Sequence, residues 1–324
     1  MDQSKVRVGI IGSGAMGTLF GYHLASASEV TMLDSNRAIL AEIERNGGLS
    51  VNDAPPRPVR AGRSSRDLYG SNFIFLFVKA VDTLKALRAF AGELSPSTPI
   101  VSLQNGVGNE DAIKTALGGA VPVVLGITTE SSLTIAPGRV RSSEQGNTII
   151  GSGGASPATS RSVAELLVKT GMKATVVYDI RPHLWGKLVA NAAVNAVSAL
   201  LDCESGEILK DPNAARLAEA LAEEAAQVAA SLKINLPFAN PWQYVAEVIA
   251  VGADSKSSMA FDLESGHPSE IDHINGAVCA AGRRTGVPTP YNDAMVRLIK
   301  AKEALSAKAS RHGELVEPRA RGSP

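Results

Sequence analysis

Lys187, Asn191 and Asn195 recur every four residues in a stretch otherwise built from alanine, valine and leucine, WGKLVANAAVNAVSALL (185–201). At 3.6 residues per turn that spacing sets an ammonium and two carboxamides along one slowly drifting stripe of a helix. A solvated helix face is normally made of glutamate, lysine and arginine. Asparagine is a poor helix former, so its repetition among alanines is read either as plain exposure or as a surface that holds a ligand. Lysine suits proton donation in such surroundings, because partial burial lowers its pKa towards the working range of a general acid.

Gly12-Ser13-Gly14-Ala15-Met16-Gly17 forms the second constellation, a GxGxxG between an apolar β-branched run, Val6 to Ile11, and a helical stretch, Ala15 to Ala27. Glycine lets the backbone turn tightly and approach a pyrophosphate, and amides at the helix start can face its oxygens. A glycine-rich turn with no ligand has the same composition, but the strand before and the helix after favour a dinucleotide. Asp34 follows the next strand, Val30 to Leu33, about 20 residues on, where a carboxylate can accept hydrogen bonds from an adenosine ribose. That favours NAD(H) and disfavours a 2′-phosphate, which Arg37 could in turn offset. Asp34 or Ser35 could instead cap the helix that starts near Arg37.

Three further residues are ambiguous on their own chemistry. Asn105, in Gln104-Asn105-Gly106, is either a turn residue in a left-handed conformation or a ligand contact at the carboxyl end of a strand. Glu270 stands between Ser269 and Asp272, a pattern that also describes a capped helix start with acids at its positive end. Ser258 belongs to a Ser257-Ser258 pair that could cap a helix ended by Gly266.

These residues need a scaffold, and the chain alternates in the way that supplies one. Phe73 to Val78 is an unbroken apolar run suited to a strand covered on both faces. Helical stretches at Val81 to Gly92 and Glu110 to Leu117 alternate with strand-like runs at Ile100 to Leu103, Val121 to Gly126 and Thr148 to Gly151. Such alternation predicts a doubly wound α/β domain over 1–180. Beyond it, long alanine-rich segments at 182–201, 212–233, 241–251, 268–285 and 290–308 predict an all-helical domain over 181–307. The segment 308–324, rich in arginine, proline and glycine and without period, is expected to be a disordered tail.

Composition removes several classes of function. Lysine plus arginine (32) equals aspartate plus glutamate (32), so no basic field exists to hold nucleic acid or an anionic membrane, and aromatics at 4% leave little material for base stacking. The five histidines form no metal-binding pattern and no GxSxG elbow occurs, so neither a metal site nor serine acyl transfer is expected. Cys203 and Cys279 lack partners at ligand spacing, which suits a reducing, cytoplasmic setting. The opening apolar run is too short for the core of a signal peptide, and no run of 18 or more apolar residues is seen that would span a membrane. Trp185 and Trp242 read as core or interface residues. The alanine-rich helices are compatible with a homodimer.

The chain resembles the ketopantoate reductase (2-dehydropantoate 2-reductase) family through seven ordered landmarks: GIIGSGAMG (9–17), FVKA (77–80), LQNGVGNED (103–111), GITTESS (126–132), LWGKLVANAAVNAVSALL (184–201), SSMAFDLESGHPSEIDHINGAV (257–278) and GVPTPYN (286–292). The resemblance implies a Rossmann-type doubly wound sheet that binds NADP(H) and a helical domain that closes over a small 2-keto acid, whose ketone receives the hydride. It implies Lys187 as general acid, Asn105 as a cofactor and substrate contact, and Lys79 at the cleft wall. Asn191 and Asn195 become substrate contacts, Ser258 the partner of the substrate carboxylate, and Glu270 that of its hydroxyl. Two features depart from the family pattern. Leu33-Asp34-Ser35-Asn36-Arg37 lacks the arginine usual just after the second strand, and Ser205-Gly206 stands where some members have asparagine before glycine. The other readings are a related hydroxyacid or glycerol-3-phosphate-type dehydrogenase, and a cofactor-sensing protein without turnover, for which a retained Lys187 and Glu270 would be superfluous.

Overall fold

The computed structural model describes residues 5–314 apart from Ala91 and Ala120, with side chains to residue 306. The chain divides into two compact units, one ending at Leu184 and the other starting at Trp185.

The first unit alternates strand and helix: β1 (Val6–Ile11), α1 (Ala15–Leu24), β2 (Ser28–Leu33), α2 (Arg37–Arg45), β3 (Ser50–Val51), β4 (Arg60–Ala61), β5 (Phe73–Leu76), α3 (Thr83–Arg88), β6 (Ile100–Ser102), α4 (Asn109–Leu117) and β7 (Val123–Thr128). A hairpin, β8 (Ser132–Ala136) and β9 (Arg139–Ser142), precedes β10 (Thr148–Ser152), α5 (Pro157–Lys169) and β11 (Ala174–Val176). The main sheet has the order β11-β10-β7-β6-β5-β1-β2-β4. From β7 to β4 every pairing is parallel, and β10 joins β7 antiparallel. Apolar residues cover both faces, which is why β1 and β5 read as unbroken runs. Phe20, Met32 and Phe75 lie in the core on one face, and Ile74, Leu76 and Leu87 in the core on the other.

The strands β3, β9 and β8 form a separate three-stranded sheet. Leu49, Val51 and Val140 from this region join the core that contains Leu19 and Phe20 of α1. The sequence gives little sign of it: β3 has two residues, and β8 exposes both Leu133 and Ile135. The expected helix over 81–92 is shorter, a 3-10 turn at Ala80–Asp82 followed by α3.

α6 (Arg181–Leu201) carries the chain from the first unit into the second, which continues with α7 (Ser205–Lys210), α8 (Pro212–Ser231), α9 (Pro241–Val251), α10 (Ser258–Glu264), α11 (Asn275–Thr285) and α12 (Pro290–Glu314). α8 and α9 each start with proline in the first turn behind a capping side chain, Asp211 or Asn240. The core is aliphatic and small: Leu188, Val189, Ala192 and Ala196 of α6, Leu221 and Ala225 of α8, Val278 of α11, and Met295 and Ile299 of α12 are buried.

α6 is by length and composition apolar enough to cross a membrane, although its sequence is broken by Lys187 and two asparagines; 72% of its most apolar window is buried, as in a core helix. Two expectations are corrected here. The helix expected over 268–285 starts only at Asn275, because residues 270–274 form a tight turn in which the Glu270 carbonyl accepts from the amides of His273 and Ile274. α12 extends to Glu314, so its backbone stays helical through residues 308–314 of the expected tail; alanine, lysine and arginine there are good enough helix formers to prolong an anchored helix. Residues 315–324 of that segment lie outside the described residues.

Candidate active site

In the first unit the parallel order of β6, β5, β1 and β2 brings four loops to one end of the sheet. They carry Asn105, Lys79, the glycine turn and Asp34. The chain also reverses direction across the sheet here, β2 lying on one side of β1 and β5 on the other, the place where open α/β sheets bind ligands.

The three glycines have different physical reasons. Gly12 adopts φ +102°, and a Cβ there would stand 2.8 Å from the Phe77 carbonyl carbon, so the turn can press against the end of β5 only without a side chain. A Cβ on Gly17 would lie 1.9 Å from the Gly12 carbonyl oxygen. Around Gly14 nothing lies within 4 Å of the corresponding position, and that residue is exposed. Two glycines therefore serve packing within the protein, while the third leaves open space in front of the start of α1. Ala15 and Met16, half-buried, open that helix, whose first amides have no intrahelical acceptors. This cradle fits a pyrophosphate.

Ser13 faces inwards. Its amide and hydroxyl both donate to Asp34 Oδ2, at 2.8 and 2.6 Å, and Asp34 Oδ1 accepts from the Asn36 amide at 2.8 Å. The carboxylate is thus fixed at the end of β2 and tied to the glycine turn. It does not cap α2: Asn36 does, accepting from the Ala38 amide. Arg37 donates to the carbonyls of Gly62, at 3.1 Å, and of Arg63. This places Arg63, exposed just beyond β4, beside Arg37 at the same end of the sheet. Sequence reasoning missed Arg63 because a two-residue edge strand leaves no apolar run to find.

Lys79 and Asn105 are both half-buried. Asn105 is not the left-handed residue of its turn; Gly106 takes that conformation, at φ +82°. Gln104, which the sequence did not single out, ties the two loops together. Its Nε2 donates to the Val78 carbonyl at 2.7 Å and to Thr83 Oγ1 at 2.8 Å, and its Oε1 accepts from Ser102.

In the second unit Lys187 and Asn191 are half-buried on α6, and Asn195 is buried. Trp185, at the start of this stretch, is buried, while Trp242 on α9 is half-buried. Lys187 keeps some solvent contact at its surface but is enclosed densely enough that burial pulls its ammonium down to about 8, partly opposed by the charge of Glu270. Burial destabilises the charged form and the carboxylate favours it. The turn that carries Glu270 therefore faces the lysine electrostatically, although Glu270 is not in a helix start. Ser269 bonds the Ile271 amide at 3.3 Å and is not the cap of a helix.

Ser257, not Ser258, caps α10, accepting from the Ala260 amide. Its hydroxyl donates to the Asn195 carbonyl at 3.0 Å, and its amide donates to Ser198 Oγ. The start of α10 is thereby pinned to the asparagine stripe, and the neighbouring Ser258 is left exposed.

Two family models match the chain, Ketopantoate reductase PanE/ApbA over residues 8–154 and its C-terminal counterpart over residues 179–303. A 2-dehydropantoate 2-reductase of Pyrobaculum aerophilum is 34% identical over 91% of this chain and 98% of its own. One of Archaeoglobus fulgidus is 31% identical over 92% and 98%. A ketopantoate reductase family structure from Ralstonia eutropha superposes with a TM-score of 0.85 at 26% identity, covering 93% of this chain and all of the other. A D-mandelate dehydrogenase complex with NADH and anilino(oxo)acetate gives 0.84 at 27% identity, covering 93% and 99%. With one family model matched over residues 8–154, the other over 179–303, and relatives more than 30% identical over nine-tenths of the chain, the chain belongs to the ketopantoate reductase family.

Proposed function

We propose that the protein reduces a branched 2-keto acid, 2-dehydropantoate first among them, to the 2-hydroxy acid with a reduced nicotinamide dinucleotide. The observation that carries this reading is Lys187, a half-buried ammonium drawn to about 8 with Glu270 set against it, on a helix face that also presents two asparagines. The dinucleotide, when bound, supplies the hydride that the ketone carbon receives.

The chain's own residues do the rest. Gly12, Gly14 and Gly17 shape the cradle, Ala15 and Met16 offer amides, and Lys79 and Asn105 stand at the adjoining strand ends. Lys187 Nζ gives its proton to the ketone oxygen as charge develops there, and the neutral amine then regains a proton from solvent. Asn191 and Asn195 orient the substrate by hydrogen bonds, and Ser258 holds its carboxylate. Glu270 accepts from the substrate hydroxyl and keeps Lys187 charged.

Cofactor choice rests on Asp34, Arg37 and Arg63. An ionised Asp34 fixed by Ser13 repels a 2′-phosphate, while the arginines attract one. We infer that NADPH and NADH both serve, with a preference of several-fold. The same observation favours a second reading, an NADH-dependent dehydrogenase of another 2-hydroxy acid, in line with the NADH-bound D-mandelate dehydrogenase that shares the fold. Steady-state assay of 2-dehydropantoate and benzoylformate-like 2-keto acids with each cofactor separates the two: the first reading requires the highest kcat/KM on 2-dehydropantoate. We place the enzyme in the cytoplasm, where its two free cysteines, Cys203 and Cys279, stay reduced.

A further inference from the structure

A chain of buried polar side chains crosses the second unit from α8 to α6. Glu224 of α8 is 7% exposed, and Asn275 and Asn292 are fully buried. Glu224 receives the amides of Tyr291 and Asn292, both at 2.9 Å, so it caps the first turn of α12 with a charge. Asn292 Nδ2 donates to Glu224 Oε2 at 2.8 Å and to the Leu221 carbonyl at 3.3 Å. Its Oδ1 accepts from Asn275 Nδ2 at 3.0 Å. Asn275 Nδ2 also donates to the Ala192 carbonyl at 2.9 Å, in the middle of α6.

The direction of every bond in this chain is set by the Glu224 carboxylate together with the Leu221 and Ala192 carbonyls, all of which can only accept. Asn292 must turn its amine towards that carboxylate and its oxygen towards Asn275. Asn275 must then point its amine at both acceptors, and its own Oδ1 is left buried without a partner. Reversing Asn275 would set oxygen against two oxygens. Leaving a buried carbonyl oxygen unpaired is unfavourable, and nothing in the packing of apolar side chains requires it. What the arrangement does fix is a distance. Ala192 lies between Asn191 and Asn195 on the Lys187 helix, and Asn275 directly follows the turn whose Ile274 amide is bonded to the Glu270 carbonyl at 3.0 Å.

We propose that Asn275 is a positioning residue, oriented by Asn292 and Glu224, that holds the Glu270 turn in register with the Lys187 helix and thereby sets the spacing of the acid and its carboxylate partner. The inference rests on the reading of Lys187 as proton donor. Asn275 touches neither substrate nor cofactor in this account; it acts through α6.

The test measures kcat, KM, dinucleotide Kd and melting temperature for the full chain and for Asn275→Ala, with Lys187→Ala in parallel. Asn275→Ala is expected to lower kcat roughly 10- to 100-fold, the loss that a misplacement of about 1 Å produces. Dinucleotide Kd should stay unchanged, and the alkaline fall of kcat should move to lower pH as Glu270 ceases to support the lysine charge. Unchanged kcat and pH profile, with only a lower melting temperature, would overturn the inference while the Lys187 reading stands. An active Lys187→Ala would remove that reading and this inference with it.

A second variant keeps the test decisive if Asn275→Ala does not fold. Asn275→Leu keeps the side-chain volume while removing both donors, and should lose kcat in the same range. Unchanged kcat and pH profile in a folded Asn275→Leu protein would contradict a positioning role.

Discussion

The glycine turn of the first unit and the lysine stripe of the second solve the problem of holding a ligand by different means. The turn is made of backbone. Its shape follows from three missing side chains and from a carboxylate, Asp34, that bonds Ser13 through both amide and hydroxyl. Apart from Phe77 beyond β5, against which Gly12 packs, what it needs lies within one strand-turn-helix-strand unit. The stripe is made of side chains on a helix whose orientation depends on residues up to 83 positions away, Asn275 bonding the carbonyl of Ala192. A local device tolerates change elsewhere in the chain; a device built on distant packing transmits it. The two should therefore fail differently, the first through dinucleotide affinity and the second through turnover.

Lys187→Ala gives the largest effect. Turnover should fall by about two to four orders of magnitude, the usual contribution of a general acid, while dinucleotide Kd from fluorescence titration is unchanged. A parallel loss of dinucleotide affinity would erase the contrast between the regions. Next come the glycines. Gly14→Ala meets open space, so melting temperature should hold while dinucleotide affinity weakens roughly tenfold, about 1.4 kcal/mol. Gly17→Ala must displace the Gly12 carbonyl and should destabilise the first unit by roughly 1–3 kcal/mol, read by urea denaturation. If Gly14→Ala proved the more destabilising of the two, the assignment of the open space to a ligand would fall.

How much of this was legible follows the same division. Gly12 to Gly17 and Asp34 declare themselves in the sequence because a short-range backbone motif has a short-range pattern. Lys187, Asn191 and Asn195 are visible as a stripe, since period and composition conflict there. The turn at residues 270–274 is not, because serine followed by acids is what a helix start would also show, and only the folded turn, in which the Glu270 carbonyl accepts from the His273 and Ile274 amides, places the helix start later. The β8–β9 hairpin and Arg63 are silent for a related reason. Short edge strands with exposed apolar residues carry neither alternation nor a run, and their positions are decided by the sheet they join.

Smaller effects sharpen the comparison further. Asp34→Asn should shift preference towards NADPH several-fold, and Arg37→Ala should weaken NADPH more than NADH, both measured as ratios of kcat/KM. An unaltered ratio in both variants would mean that the Ser13–Asp34 clamp serves the turn alone. Lys187→Met removes a charge whose burial disfavours it, and should raise the melting temperature by roughly 2–4 °C even as activity is lost. A lower melting temperature would indicate that the ammonium stabilises the second unit, contrary to the desolvation that pulls it down.

The most direct measurement of the central claim is kcat against pH with saturating 2-dehydropantoate and reduced dinucleotide. The donor must be charged to act, and burial depresses Lys187 to about 8, so the ammonium is present below that value and lost above it. Turnover should be level on the acid side of about pH 8 and fall about tenfold per unit beyond it. A profile that stays flat or rises through pH 8–10 would contradict Lys187 as the proton donor.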